Sequence, residues 1–171
     1  MEILDENKLK GLKKNHEKVI NNWFEQEYGK SFKRGKNLIA FDVIKMAIIA
    51  LIDLDIKKIK SGIEIKLISV EDQISTSFMT KKSKIKYKLK GFIDRVQTEN
   101  GHTKIIDYKT GGSITSSSLS FEEFDQVTEK KKKELFQLLC YSLIYLKSDK
   151  NIESVEPGLI LLKSINSGTN V

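Results

Sequence analysis

The segment GFIDRVQTENGHTKIIDYKTG, residues 91–111, restricts the possible folds more than any other part of the chain. Two runs rich in Ile, Val and Phe flank Asn100-Gly101, and Asn-Gly between alternating strands is the strongest short-range signal for a β-hairpin. A type I′ turn needs positive φ at both central positions, which Asn and Gly tolerate. Glu99 then pairs with His102. Five steps back along one strand and five forward along the other bring Asp94 opposite Asp107.

Directly paired side chains have Cβ atoms only ~4.5–5.5 Å apart, and like charges at that distance are destabilising. Either one carboxylate keeps its proton or a cation sits between them. Lys109 lies two residues beyond Asp107 on the same face, about one strand repeat away. Two carboxylates that bracket a hard cation, beside an ammonium, form a site for phosphodiester hydrolysis. Oxygen ligands suit Mg²⁺ or Mn²⁺. Such an ion would lower the pKa of a bound water and neutralise phosphate charge, while Lys109 orients that water or stabilises the transition state. The competing reading has the aspartates salt-bridged to Lys109 and Arg95 in a partly exposed hairpin. Lys84, Lys86, Lys88 and Lys90 share the parity of Asp94, so a lysine face is expected to run toward the carboxylates unless Gly91 marks a bulge.

Elsewhere the chain reads as a single domain of 171 residues, long enough for one sizeable core. Its longest apolar run, Met46 to Ile52, is far too short to span a bilayer, and no secretory pattern opens it. Cys140 is the one cysteine, which excludes an internal disulfide; with two histidines, the set argues against a structural zinc or an iron–sulfur cluster. The expected compartment is the cytoplasm. A net charge of +7 favours polyanionic partners, but the cations are almost all lysines, as a solvated lysine surface also requires.

Leu9, Leu12, His16, Val19, Ile20, Trp23 and Phe24 recur at helical spacing, and Gly29 is a plausible stop. After a basic loop, with Asn37 as a possible cap, residues 38–59 read as a buried helix. Strands are expected over 63–70, through KIKYKLKGFIDRV, and through HTKIIDYKTG. A polar Gly/Ser loop follows, then a helix from about Phe121 or Glu129 to Lys147, then a last strand after Pro157. Helix, helix, three strands, helix, strand implies an α/β or α+β fold: a mixed sheet with helices packed against it.

At these residues the sequence resembles the PD-(D/E)XK nuclease superfamily and, within it, the RecB/AddB-like branch. The motifs are GFIDRV with Asp94, IIDYKTG with Asp107-Tyr108-Lys109 as the D-x-K, and QLLCY as Gln-x-x-x-Tyr. The resemblance implies a restriction-endonuclease-like fold and Mg²⁺- or Mn²⁺-dependent cleavage of DNA, as an exonuclease working with a helicase or helicase-like partner. It makes Asp94, Asp107 and the Tyr108 carbonyl metal ligands and Lys109 the catalytic lysine. Gln137 and Tyr141, on one helix face, would look toward the DNA strand, with Arg95 a further contact. Glu71 resembles an acid common before the hairpin in this branch and is a further candidate ligand, although a solvated strand-end acid is the competing reading. RecB-like nucleases carry a histidine on an early helix; His16 lacks that setting and His102 sits in the hairpin turn. The chain therefore reads as a nuclease domain from a larger repair protein, starting after the missing helix and ending in KSINSGTNV. The alternative is a weak or inactive module that binds DNA or a partner protein.

Overall fold

The computed structural model describes residues 1–30, 32–80, 84–111, 114–149, 151–163 and 165. Two long helices open the fold, α1 (Glu6–Tyr28) and α2 (Gly35–Lys60), preceded by a two-residue strand β1 (Glu2–Ile3). Three strands follow: β2 (Ile65–Met79), β3 (Lys86–Glu99) and β4 (His102–Lys109). After short 3₁₀ turns come α3 (Lys133–Ser148) and β5 (Glu156–Leu161). The sheet order is β1-β2-β3-β4-β5; the first four strands are antiparallel to their neighbours and β5 runs parallel to β4. The mixed sheet with flanking helices is the α+β arrangement expected from the element order and the restriction-endonuclease-like fold that the resemblance implies.

Local chemistry accounts for the element ends. Asp5 caps α1 by accepting from the Lys8 N–H at 2.8 Å, and Gly29 closes it at φ +74°. The hairpin turn places Asn100 at φ +50° and Gly101 at φ +87°, as a type I′ turn demands. The Asn100 side chain also accepts from the Glu64 N–H, tying the turn to the start of β2.

Two cores lie on opposite sides of the sheet. On one, α3 packs its Ile144 and Tyr145 onto Ile74, Ile93, Val96 and Ile105. On the other, α2 covers Ile106 and Ile160 through Ala50, with Leu51, Leu54 and Tyr108 alongside. Burying every second residue on each side is what makes β4 read as a continuous apolar run.

Several expectations change. Asn37 lies inside α2, which starts at Gly35. That helix is not wholly buried: Ile39, Val43 and Met46 are exposed, because only one side meets the sheet and α1. The strand expected to end at Val70 continues to Met79, so Glu71 is within it rather than at its end. The third helix begins at Lys133, after 3₁₀ turns over Phe124–Thr128 and Lys130–Lys132. Most of the closing KSINSGTNV, and Gly112 and Ser113 of the Gly/Ser loop, lie outside the described residues.

The lysine face also moves. Ile93 and Val96 both enter the α3-side core, although residues three apart in a regular strand point to opposite faces. The alternation therefore breaks between them, at Asp94. Opposite Asp94, between the pairs Val70–Arg95 and Asp72–Ile93, Glu71 takes φ +49°. Before the break, Leu89 packs on the α3-side core and a Cβ on Gly91 would meet the Tyr141 ring of α3. Lys86, Lys88 and Lys90 consequently lie on the opposite face.

Candidate active site

The β3–β4 ladder follows the register read from the turn, from Glu99–His102 to Arg95–Ile106. At the next step the Asp94 carboxylate takes over from the backbone: its Oδ2 accepts from the Tyr108 N–H at 2.7 Å. This anchors Asp94 beside the strand that carries Asp107 and Lys109.

Asp107 is 4% exposed, on the α3 side of β4. Its Oδ1 accepts from the Gln137 side-chain amide at 3.2 Å, and its Oδ2 lies 2.8 Å from Lys109 Nζ. Among the described residues Lys109 is the one partner of this buried oxygen, which has no other donor. Burial pushes the Asp107 carboxyl above its ordinary range; Lys109 opposes this, while Asp94 and Glu134 add to it.

Gln137 joins the strand residues to the helix. Its Oε1 accepts from Lys109 Nζ at 2.8 Å, and its amide also donates to the Tyr141 hydroxyl at 2.7 Å. Spaced one helical turn apart, Gln137 and Tyr141 share the face of α3 that lies over the sheet. Gly91 makes room for this packing, since a Cβ there would stand 2.6 Å from Tyr141 Cε1. The glycine that leads the GFIDRV motif is thus a close-approach position.

Asp94, Asp107, Lys109, Gln137 and Tyr141 are brought together. Tyr108 contributes backbone here, while its ring turns to the other face, beside Ile106 and the α2-side core. Glu71 lies across from Asp94 with an exposed side chain. Arg95 does not join the site: it is 7% exposed, and its Nη1 donates to Asp55 of α2 at 2.9 Å. The expected DNA contact is corrected to a buried ion pair, because alternation after Asp94 turns Arg95 to the α2 side. His16 is on α1, with Nδ1 against the Lys13 carbonyl, and His102 is exposed in the turn.

Two acids escaped the sequence reading. Glu134 lies one turn before Gln137, with a side chain only 16% exposed, and its charge reaches Asp107. The three-residue spacing from Gln137 is the signal that pointed to it. Asp55 is the partner of Arg95, and an acid inside an apolar helix was its only trace.

The donor set can accept a divalent cation. Among the described residues no three His, Cys, Asp or Glu side chains are grouped closely enough to hold an ion by themselves. Mg²⁺, however, keeps several waters and commonly takes one or two carboxylates. Asp94 and Asp107, close enough for their charges to interact, are the two carboxylates here that could meet one.

A family model for the PD-(D/E)XK nuclease superfamily matches residues 1–169. The chain belongs to this nuclease superfamily, whose members typically use divalent metal ions and act on DNA. A search of curated proteins returned no match. Among the described residues, no helix is long and apolar enough to cross a membrane.

Proposed function

We propose that this chain is a metal-dependent deoxyribonuclease of the RecB/AddB-like branch, an exonuclease that trims DNA in repair or recombination beside a helicase or helicase-like partner. The reading rests on one observation above all: a buried aspartate next to an ammonium, with a second aspartate tied to the same strand. Burying Asp107 with one ammonium and one amide beside it is costly, and the structural acid Glu99 is surrounded by more donors.

Asp94, Asp107 and the Tyr108 carbonyl would hold Mg²⁺ or Mn²⁺, with Glu71 as a further candidate ligand. Bound there, the ion supplies Lewis acidity toward the phosphate. Lys109 carries its positive charge to the same place and stabilises charge that develops on the phosphate oxygens. Gln137 holds both Lys109 and Asp107, fixing the ammonium relative to the carboxylate. Tyr141 closes the α3 side and faces the nucleic acid strand. The tertiary packing that aligns these groups accounts for the entropic part of catalysis.

The alternative, a binding module on the same fold, shares every feature except turnover. Mn²⁺ titration calorimetry separates the site from a plain salt bridge. Saturable binding is expected for the wild type and is expected to vanish in Asp107→Ala. Cleavage of a labelled oligonucleotide then separates nuclease from module: Lys109→Ala keeps DNA binding and loses cleavage if the enzyme reading holds. A wild type that binds Mn²⁺ and DNA yet never cuts would leave only the module.

A further inference from the structure

Beyond Asp94 the sheet narrows to a ribbon. Residues Lys86–Phe92 of β3 pair only with β2, over Met79 back to Gln73, whereas the ladder to β4 starts at Arg95. One face of the ribbon is occupied: Ile74 and Leu89 pack toward α3, and Phe78 stacks on Tyr87 at 5.8 Å between ring centroids. The other face presents Lys86, Lys88 and Lys90 in a row, all exposed, and then Phe92, 56% exposed.

The residues opposite this row are Met79, Ser77, Ser75 and Gln73, none of them acidic. Asp72, the nearest acid of β2, pairs with Ile93 and belongs to the other face. The three lysines have no ion-pair partner among the described residues, whereas Lys13, Lys58, Lys104 and Lys109 each have a carboxylate within 4 Å. Alternate residues of a strand stand ~6.6–6.8 Å apart, so the row is a straight line of point charges ~13 Å long. It ends in an exposed aromatic ring two residues before Asp94. A line of cations ending in a ring is how proteins hold single strands without sequence preference: the charges track the phosphates and the ring stacks a base. A two-stranded ribbon that is marginally stable by itself is kept in shape here by α3 on its other side.

We propose that the Lys86–Lys88–Lys90 face is a guide for a single-stranded DNA tail, with Phe92 as the stacking platform beside the catalytic aspartates. This inference deepens the nuclease reading and rests on it for the direction in which the strand is fed. Among the described residues, the β3 edge beyond Asp94 has no neighbouring strand on the β4 side, so a chain on the lysine face can cross that edge to Asp94 and Asp107.

The test uses a fluorescent twelve-nucleotide oligothymidylate in EDTA, with affinity measured across a salt series. The triple variant Lys86→Ser/Lys88→Ser/Lys90→Ser is compared with a control, Lys14→Ser/Lys18→Ser/Lys30→Ser, which removes the same charge from exposed sites elsewhere. Losing three phosphate contacts should flatten the log–log salt slope by about 2 for a single strand. The control should leave the slope within half a unit of wild type. Phe92→Ala should weaken binding by about 5-fold or more at fixed salt. Unchanged slope in the first variant, equal loss in both triples, or loss confined to a duplex probe would each overturn the proposal. Mn²⁺-dependent hydrolysis of a small thymidine phosphodiester, too short to reach the ribbon, distinguishes the failures. A wild type unable to hydrolyse it fails the nuclease reading, whatever the salt slopes are. A triple variant that hydrolyses it normally but keeps its oligonucleotide slope fails only the guide.

Discussion

The β3–β4 hairpin has a buried acid near each end, and the two are treated in opposite ways. Near the turn, Glu99 is 8% exposed and its Oε1 accepts from Lys58 Nζ at 2.5 Å and from the Gln97 amide at 2.6 Å. Lys104 Nζ stands 3.2 Å from the other oxygen. Burial would raise the Glu99 carboxyl, but these lysines outweigh it and hold it below its ordinary range. At the far end Asp107 has one amide donor, one ammonium at 2.8 Å and two neighbouring acids, and burial wins. An acid surrounded by donors holds the fold together. A similarly buried acid with fewer of them costs the fold stability and is available to a cation.

That contrast can be broken most forcefully at Lys109. Lys109→Ala should lower the cleavage rate about 10²–10³-fold, the scale of losing one electrostatic stabiliser, while the thermal midpoint stays near wild type. A variant that unfolds instead would make Lys109 the structural counterpart of Lys58 and erase the distinction.

Glu99→Gln tests the other end. It should destabilise the fold by about 1–3 kcal/mol, because Lys58 and Lys104 lose a charge-assisted acceptor in a half-dry site. Cleavage rate per folded molecule should be unchanged, as checked by urea melts alongside single-turnover kinetics. The pH dependence carries the same sign: with its folded pKa lowered, the Glu99 contribution is present above the unfolded carboxylate range and disappears as pH falls through the folded value.

Gly91→Ala tests the Asp107 end through packing. The new Cβ must displace the Tyr141 ring, whose hydroxyl is held by Gln137. A cost of about 1–3 kcal/mol is expected from overpacking, accompanied by weakened Mn²⁺ binding as Gln137 shifts away from Asp107. Calorimetry of the variant would show whether the α3 face is a rigid part of the site.

The smallest effect expected is the most telling in sign. Asp107 has a raised folded pKa, so the folded state holds its proton to higher pH than the unfolded chain does, and stability declines as pH rises between the two values. Asp107→Asn should therefore be stabilised at neutral pH, by on the order of 1 kcal/mol, and lose that advantage in acid. Thermal melts at pH 7 and pH 4 check it. A destabilised Asn variant at pH 7 would mean that the Lys109 ion pair, not the site, accounts for Asp107.

Much of this was legible from the chain. Asn100-Gly101 dictated the turn chemistry, the turn dictated the register, and the register placed Asp94 beside the strand of Asp107. Gln137 and Tyr141 came from the resemblance, and helical spacing added only that they share one face. The lysine face was misplaced because parity was counted through Asp94 as if β3 were regular; Arg95 was carried over from the resemblance, which does not record its pairing with Asp55. The interruption is shared between Asp94 and Glu71 of the neighbouring strand, and no pattern within either strand alone records it. Glu134 and Asp55 were missed because their significance lies in what they approach, one Asp107 and the other Arg95, from elements far away in sequence.

The sequence by itself determined which residues could do chemistry and which strand pair would carry them, since turn sterics and strand alternation act over a few residues. Tertiary structure decided which acid would be surrounded by donors and which would keep fewer of them. It also decided that the lysines would line a separate face and that Arg95 would be locked under α2. Burial and the donors around a charge are set by segments that meet only when the chain folds, and the free energy of a charge depends on those surroundings more than on its own residue type.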